Sequence, residues 1–442
     1  MNALLLVALG GLMHAARSFG PAGPEGGAST LLAFGYVLVT AFFAGRLFGQ
    51  LRLPRLTGYI VAGVVAGPMG LGLLSREMVG SLDVVNGIAV SMIALTAGSE
   101  LELRAIRPLL RSIRWIALLG VLGTAALLSA AVWLLRSLLP FMAHLAPAQA
   151  AAVSLVLGVV TVAQSPAVVV ALRDELRADG PVARTALGVV VLADLMVIVL
   201  FAVTSTVAKA TFGAGADAAH TAATLAWEIL GSLGAGALVG VVLATYLRKV
   251  AGGAPLFVFL TTVVVSEIGR RLHFDPLLVA LAAGMLVRNA TQVAEVLHRE
   301  LQPSSLPVSI VFFAVAGASL HLDVLATAWV PAGVIVLVRA AGLLSGARAG
   351  ARLARAPATV VRYAGFGLLP QAGLALALST LFAKTFPEFG AAASALTLGV
   401  VALNELLAPA VYRAALVRAG EAGQGESPAP AAEAPALELL RH

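Results

Sequence analysis

Apolar segments long enough to cross a lipid bilayer recur along almost the whole sequence. A membrane-spanning helix needs about 20 mainly apolar residues, and about thirteen such runs can be placed in this chain. The sequence therefore predicts an all-α polytopic membrane protein with about thirteen transmembrane helices. The runs lie near residues 30–50, 58–74, 83–99, 113–138, 148–171, 185–208, 222–246, 255–269, 276–288, 305–320, 328–347, 359–384 and 390–413.

The composition supports a membrane protein and excludes several other classes. Of 442 residues, 60% are hydrophobic and 12% are charged, whereas soluble domains are about 25% charged. The net charge of +7 comes without a cluster of basic and aromatic residues, which favours loops facing lipid headgroups over nucleic-acid binding. The absence of cysteine excludes thiol chemistry. The sequence contains no histidine pair or catalytic triad that would indicate a metal site, a cofactor or an enzyme.

The positions of the arginines predict the orientation and the boundaries of the chain. Arg-rich turns follow alternate spans, and the positive-inside rule makes them and the C-terminus cytoplasmic. Residues 1–29 are predicted to hold either a cleaved signal or an extra hydrophobic helix, followed by a linker. Residues 30–417 are predicted to form the membrane domain, and the Ala/Pro/Glu-rich residues 418–442 are predicted to be a disordered cytoplasmic tail.

Three ionisable residues stand well inside the apolar runs: Asp194, Arg339 and Glu405. A charge at mid-bilayer costs about 2.5–3.5 kcal/mol, so each of them needs a physical reason. Asp194, in VLADLMVIVL, is interpreted as a shared proton and cation site, with a structural acid as the alternative. For Arg339 a structural counter-ion and a functional role stay open, and Glu405, beside Pro409, is interpreted as mainly structural.

Two of the runs are predicted to be broken helices. In TVAQSPAVVV, Pro166 removes a backbone donor and frees carbonyls near Thr161, Gln164 and Ser165. Such carbonyls and hydroxyls can ligate a small cation, so these residues join Asp194 in the predicted site. The twelfth run, GFGLLPQAGLAL, contains a second break marked by Gly367, Pro370, Gln371 and Gly373.

The two breaks occupy equivalent places in two halves of the chain. If the second to sixth spans form one five-helix unit and the ninth to thirteenth another, each unit is interrupted in its fourth helix. Each also carries an acid, Asp194 or Glu405, in its fifth helix. An odd number of helices makes the two units inverted, with discontinuous helices that cross at mid-membrane. This arrangement is typical of secondary transporters.

These segments resemble the monovalent cation:proton antiporter superfamily, in the branch of Kef-type and bacterial sodium/proton exchanger domains. The resemblance covers roughly residues 30 to 415 and includes Arg339 in the eleventh span. The other segments that carry it are LTGYIVAGVVAGPMGLG, LTAGSELELRAIRPLLR, AQSPAVVVAL, VLADLMVIVL, VFFAVAGASLHLDVL and LLPQAGLAL.

The resemblance implies a homodimer in the bacterial inner membrane, with a dimer-forming panel and a mobile core in each subunit. It also implies that Asp194 binds the cation or the proton, and that Arg339 pairs with an acid or stabilises the core. The chain departs from the pattern at Ala193, where relatives often have Asn or Asp, and at Gln371, where many have a charged residue.

The predicted function is exchange of Na⁺ or K⁺ for protons. Because Arg339 does not release its proton, Asp194 is the single titrating group, and a one-for-one electroneutral cycle is expected. Two alternatives stay open. One is a Kef-like potassium efflux system gated by a separate partner, and the other is a membrane sensor that no longer transports, which Ala193 favours.

Overall fold

The computed structural model describes residues 2–19, 26–51, 53–213, 218–250, 254–272, 274–320, 322–371, 373–386 and 388–424. Within those ranges all regular secondary structure is helical, in agreement with the predicted class. The first ten α-helices are α1 (Asn2–Phe19), α2 (Gly26–Gln50), α3 (Arg55–Ala66), α4 (Arg76–Ser81), α5 (Asp83–Glu100), α6 (Leu103–Ile106), α7 (Leu110–Ala117), α8 (Gly123–Leu134), α9 (Pro147–Val162) and α10 (Pro166–Leu176).

The second half of the chain contains the longer helices. A π-helical segment, Leu118–Leu122, joins α7 to α8, and a 3₁₀ segment, Ala364–Leu368, follows α17. The remaining helices are α11 (Pro181–Thr211), α12 (Ala218–Lys249), α13 (Ala254–Leu272), α14 (Pro276–Ala290), α15 (Ala294–Ala318), α16 (Leu322–Leu353), α17 (Ala358–Tyr363), α18 (Gly373–Thr385) and α19 (Gly390–Arg418).

Proline sets the start of several of these helices. Pro147, Pro166, Pro181 and Pro276 each occupy the first turn of their helix. Proline is favoured there because its missing N–H is one that the first turn cannot bond anyway. The same residue type therefore interrupts a long apolar run and begins the next helix.

Seven helices in the described part of the chain are long and apolar enough to cross a membrane, or eight if a bent pair counts as one span. Several further helices are apolar but shorter, and the total of about thirteen stays a prediction. The predicted run 58–74 was wrong in its length. Its helix, α3, ends at Ala66, because Gly67, Pro68 and Gly70 follow and Gly72 adopts a left-handed φ of 63°.

The ends of the chain are described only in part. Residues 2–19 form α1, which packs on α2. Of the predicted linker, residues 21–29, the part up to residue 25 lies outside the described residues, and residues 26–29 belong to α2. Of the predicted tail, residues 418–442, the part from residue 425 onwards lies outside them. The segment between α19 and residue 424 is described, and it folds back on the loop between α10 and α11.

The helices form two groups that pack mainly within themselves. We call the first the panel, made of α2, α3, α5 and α12 to α15, and the second the core, made of α7 to α11 and α16 to α19. Within the core, α9 packs on α8 and α11, and α16 packs on α8 and α19. Contacts between the two groups are fewer and include α5 with α10 and α3 with α19.

Two close helix crossings hold the panel together. Gly63 of α3 lies against the α15 backbone at Ala314, and Gly317 of α15 lies against the α3 backbone at Ile60. In the same way Gly98 of α5 and Gly284 of α14 each lie against the other's helix. Small residues at such crossings let backbones approach closely in membranes. The crossings α3–α15 and α14–α5 are equivalent under the predicted inverted repeat, which itself stays a prediction.

Candidate functional site

Asp194 lies in the middle of α11 on the face that the core turns toward the panel. Its side chain is only 4% exposed, yet Oδ1 accepts no hydrogen bond from any described residue. A buried carboxylate oxygen without a donor is costly, because water has been removed and nothing has replaced it. A cation or a proton at this oxygen would remove that cost.

The Asp194 carboxylate faces a cavity of about 250 Å³ between core and panel. The core contributes α11, the break between α9 and α10, and Leu374 at the start of α18, and the panel contributes α5, α14 and α15. Most of the wall is apolar, including Val90, Ile93 and Leu281. The described polar side chains in the wall are Gln164, Ser165, Asp194 and Asp275, and none of the described lining residues is basic.

The first helix break is where the sequence predicted it. Helix α9 ends at Val162, the chain becomes extended at Ala163 and Ser165, and α10 begins at Pro166. The Ser165 hydroxyl accepts a bond from Val168 N at 3.3 Å and so caps α10. Gln164 donates to Val162 O at 3.3 Å, while its Oε1, which is buried, has no described donor.

The break adds two features to the cavity wall, an oxygen without a donor and a helix N-terminus. Gln164, whose neutral Oε1 has no described donor, lines the same cavity as the Asp194 carboxylate. The N-terminus of α10, at Pro166 and Ala167, also lines the cavity. The positive end of its dipole favours the ionised form of a nearby carboxylate.

Thr161 is not among the residues that line the cavity. Its hydroxyl donates to Leu157 O of the same helix at 2.6 Å, and its carbonyl accepts bonds from Arg339 Nε at 2.8 Å and Gln371 Nε2 at 3.1 Å. Thr161 therefore lies beside the predicted site, in the packing that supports it. Its predicted role as a cation ligand has no geometric support.

Arg339 joins the two breaks through backbone carbonyls. The guanidinium is fully buried at 0% exposure and donates to Thr161 O and Ala163 O, each at 2.8 Å, at the first break. It donates to Leu369 O at 2.6 Å and Leu368 O at 3.4 Å at the second. These carbonyls end half-helices, where the backbone dipole is negative and favours a cation.

The predicted ion pair between Arg339 and an acid is absent from the described residues, where no carboxylate lies within salt-bridge distance of the guanidinium. Glu405 is 1% exposed, and neither of its carboxylate oxygens accepts a hydrogen bond from a described residue. The alternative prediction, that Arg339 stabilises the core, agrees with its carbonyl contacts. In this structure carbonyl oxygens of both breaks surround the Arg339 charge.

The second break brings Gln371 into the Arg339 network and away from the cavity. The 3₁₀ segment ends at Leu368, Pro370 follows, and α18 begins at Gly373. Gly367 packs so closely on Ala186 and Tyr412 that a Cβ would lie 2.6 Å from the Ala186 side chain. Gln371 Oε1 accepts a bond from Asn404 Nδ2 at 3.0 Å, and Asn404 Oδ1 accepts one from Arg339 at 3.4 Å.

Two residues of the site were missed in the sequence. Asn404 precedes Glu405 and was overlooked because an amide is a weak signal beside an acid. Asp275 was overlooked because it falls in a short loop between two short apolar runs. Its signal was the pair Asp275–Pro276, a typical helix start, and Asp275 Oδ1 does accept a bond from Leu277 N at 2.8 Å.

Comparisons with known proteins agree with this architecture. The family model described as "Sodium/hydrogen exchanger, transmembrane" matches residues 37–417. Among solved structures, the sodium proton antiporter MjNhaP1 from Methanocaldococcus jannaschii at pH 8 is 16% identical with a TM-score of 0.63, over 88% of this chain and 99% of that one. An electron-microscopy structure of the same antiporter is 14% identical with a TM-score of 0.67, over 90% and 98%.

A curated relative matches over a shorter stretch. The iron transporter MagA of Paramagnetospirillum magneticum is 31% identical over 166 residues, which are 37% of this chain and 34% of that protein. The match thus spans about a third of the relative's length. The family model, by contrast, covers nearly all of the helices described above. The chain belongs to the transmembrane sodium/hydrogen exchanger family.

Proposed function

We propose that the protein exchanges a monovalent cation, Na⁺ or K⁺, for protons, with Asp194 as the site for which the two compete. The observation that carries the proposal is the buried, unpartnered Oδ1 of Asp194 in the cavity between core and panel. Family membership supports cation:proton exchange in general. The cation, the stoichiometry and the role of Asp194 are what the proposal adds.

The exchange follows from the cost of an uncompensated charge. An ionised Asp194 attracts a cation, which oxygens such as Gln164 Oε1 help to hold, and a proton displaces that cation. The carboxylate is neutralised in both loaded forms, and the core then moves relative to the panel. The empty ionised form moves poorly because it would carry a bare charge into an apolar contact. That difference couples the two fluxes.

The expected stoichiometry is one proton for one cation. Arg339 keeps its proton, because a guanidinium is not deprotonated in proteins. The exchange is then electroneutral. An uncompensated charge would add about 2.3 kcal/mol for each 100 mV of membrane potential. Exchange rates in liposomes that stay constant under an imposed potassium diffusion potential support this cycle, and strongly potential-dependent rates contradict it.

The decisive test is proton flux in liposomes that contain the purified protein. A pH gradient is imposed, and Na⁺, K⁺ or Li⁺ is added in turn to the parent, Asp194→Asn and Glu405→Gln. Dissipation of the gradient in the parent and in Glu405→Gln, but not in Asp194→Asn, supports the proposal. Glu405 is a matched control because it is a buried membrane acid that lies outside the cavity. Equal exchange by Asp194→Asn rejects the proposed site.

Ferrous iron is the second cargo to test. The curated relative MagA is named an iron transporter, and carboxylate oxygens of the kind in this cavity are acceptable ligands for divalent ions. The same liposomes can be loaded with a fluorescent Fe²⁺ indicator. Fe²⁺ entry that depends on Asp194 and is not matched by Na⁺ or K⁺ exchange would replace the monovalent cation in the proposal.

We also infer that the protein is a homodimer in a bacterial inner membrane with a cytoplasmic C-terminus. The Arg-rich turns support the orientation, and the resemblance to antiporters supports the dimer. A tag after residue 442 that is cleaved by protease only in inside-out vesicles supports the orientation. Light scattering that gives twice the mass of 44.8 kDa supports the dimer.

A further inference from the structure

A second carboxylate shares the Asp194 cavity, and it comes from the panel. Asp275 immediately precedes α14 and lines the same space of about 250 Å³ as Asp194. The two residues are far apart in sequence and belong to different helix groups. Both side chains nevertheless line one cavity, one from each helix group. The cavity wall therefore holds two acids and, in its described part, no base.

Asp275 is held firmly in place. Its Oδ1 accepts bonds from Leu277 N at 2.8 Å and Leu278 N at 3.4 Å, which cap α14. Its backbone N–H donates to Ser232 Oγ of α12 at 2.9 Å. The carboxylate is thus fixed to the panel by α12 and α14, and it does not depend on the core for its position.

Capping alone does not account for an acid at this position. Both bonds that Asp275 accepts use Oδ1, so Oδ2 remains for the cavity. A neutral Ser, Thr or Asn would cap the helix about as well. The unpartnered oxygens of Asp194 and Gln164 stand in the same wall. These buried oxygens are independent evidence that the space is built for a cation.

We infer that Asp275 is a second cation-binding carboxylate, so that the cation is bound between an acid of the core and an acid of the panel. The inference rests on the proposed function and adds a residue to it. Because Asp275 stays with the panel, it raises the affinity for the cation in the conformation seen here. It does not accompany the cation when the core moves.

The variant Asp275→Asn separates cation binding from capping. Asparagine caps a helix as well as aspartate does, so α14 should keep its start while the charge is lost. We expect the KM for the transported cation to rise at least about 10-fold with little change in the maximal rate. Asp194→Asn, by contrast, should abolish exchange.

The matched control is Glu102→Gln. Glu102 pairs with Arg288, in the last turn of α14, at 3.0 Å. The substitution therefore perturbs α14 at the end opposite Asp275, and Glu102 does not line the cavity. Its KM should stay within about twofold of the parent. An Asp275→Asn variant with an unchanged KM, beside an active parent that needs Asp194, overturns the inference and leaves the proposed function standing.

A measurement of binding keeps the test independent of transport. The thermal unfolding midpoint of the purified protein is titrated with NaCl, KCl and choline chloride, since a bound cation stabilises the folded state. A higher half-saturating Na⁺ or K⁺ concentration for Asp275→Asn supports the inference even if the parent does not exchange. Identical titration curves for the parent and Asp275→Asn overturn it. If the parent shows neither cation-specific stabilisation nor exchange, both the inference and the proposed function are rejected.

Discussion

At the scale of single residues, Arg339 shows how a membrane protein can bury a cation without an acid. Four carbonyls from the two helix breaks accept its hydrogen bonds, and so does the amide oxygen of Asn404 in α19. The planar guanidinium reaches several acceptors at once, which a lysine ammonium on a single flexible stem cannot do. The residue type therefore follows from the geometry of two breaks that face each other.

Arg339→Lys should destabilise the core strongly. Hydrogen bonds from a charged group contribute about 1.5–3 kcal/mol each, so losing two of them should lower the free energy of unfolding by about 3 kcal/mol or more. Thermal unfolding in detergent measures the effect. Arg352→Lys, on the exposed face of the same helix, is the control and should leave the midpoint unchanged. Equal midpoints for the two variants would contradict the bridging role.

Glu405 should be replaceable at a gain in stability. Both of its buried carboxylate oxygens lack a described hydrogen-bond donor, and a buried polar group without a hydrogen bond costs about 1–3 kcal/mol. We expect Glu405→Met to unfold at the parent temperature or higher. A large fall in its unfolding temperature would indicate that Glu405 has a partner in the folded protein.

At the scale of elements, the start of α11 is capped by a residue from the other end of the chain. Glu421 is only 5% exposed, and its two carboxylate oxygens accept bonds from Val182 N at 2.7 Å and Ala183 N at 2.8 Å. Asp179 N donates to Glu421 O at 3.2 Å. The segment after α19 thereby stabilises the helix that carries Asp194.

Removing this cap should loosen α11. We expect Glu421→Ala to lower the free energy of unfolding by about 1–2 kcal/mol, since it leaves two N–H groups of the first turn without an acceptor. Amide hydrogen exchange at residues 182 and 183 should increase with it. Gln424→Ala, three residues further along on an exposed position, provides the comparison. Unchanged exchange at those two amides would rule out the cap.

The Glu421 carboxyl should also make stability depend on pH. Burial raises its pKa above the usual 4.5, and the bonds from Val182 and Ala183 offset this only in part. Since the folded pKa is the higher one, the contribution to stability is greatest below about pH 4.5 and is lost as the pH rises through the folded pKa. Asp179 has the opposite effect, because its bond from Arg184 lowers its pKa below 3.8. Its contribution to stability is present at higher pH and is lost as the pH falls through the folded pKa.

Glu421→Gln tests this dependence. The variant cannot titrate at residue 421, so the difference in unfolding midpoint between parent and variant should change in favour of the variant between pH 4.5 and neutral pH. The variant also loses the hydrogen bond from Ala183 N at every pH. This loss changes the difference in unfolding midpoint by the same amount at pH 4.5 and at neutral pH. A pH-independent difference between the two proteins would show that Glu421 does not titrate in this range.

At the scale of the whole molecule, the panel depends on close helix crossings. A Cβ at Gly98 would collide with the backbone at Leu281, and one at Gly284 would collide with the backbone at Leu95. The helices α5 and α14 that meet there are also two walls of the cavity. Packing of the panel and the size of the cavity are therefore set by the same contact.

Gly98→Ala should separate α5 from α14 and enlarge the cavity. Overpacking of this kind typically costs about 1–3 kcal/mol, and the cation should bind more weakly because its ligands move apart. Unfolding midpoints and the KM for the cation measure the two effects. Gly333→Ala is the control, since nothing lies within 4 Å of its added Cβ. A Gly98→Ala protein with the same KM as the parent would show that this crossing does not set the cation affinity of the cavity.

The sequence by itself determined the class of the protein and the places where its helices break. Long apolar runs predict spanning helices because lipid offers the backbone no other partner. Pro166 and Pro370 mark the breaks because proline lacks a backbone donor, and Asp194 stands out because a charge in an apolar run is costly. Each of these effects acts within a few residues, so a single sequence carries the information.

Only the tertiary structure decided which groups meet. It places Asp275 of the panel in the wall of the same cavity as Asp194. It also gives Arg339 carbonyl partners in place of Glu405, and it directs Thr161 and Gln371 into packing and away from the cavity. Helical periodicity tells which residues share a face, but the neighbour that covers that face depends on how distant helices cross. Contacts such as Gly98 with Leu281 set those crossings, and they join residues far apart in the chain.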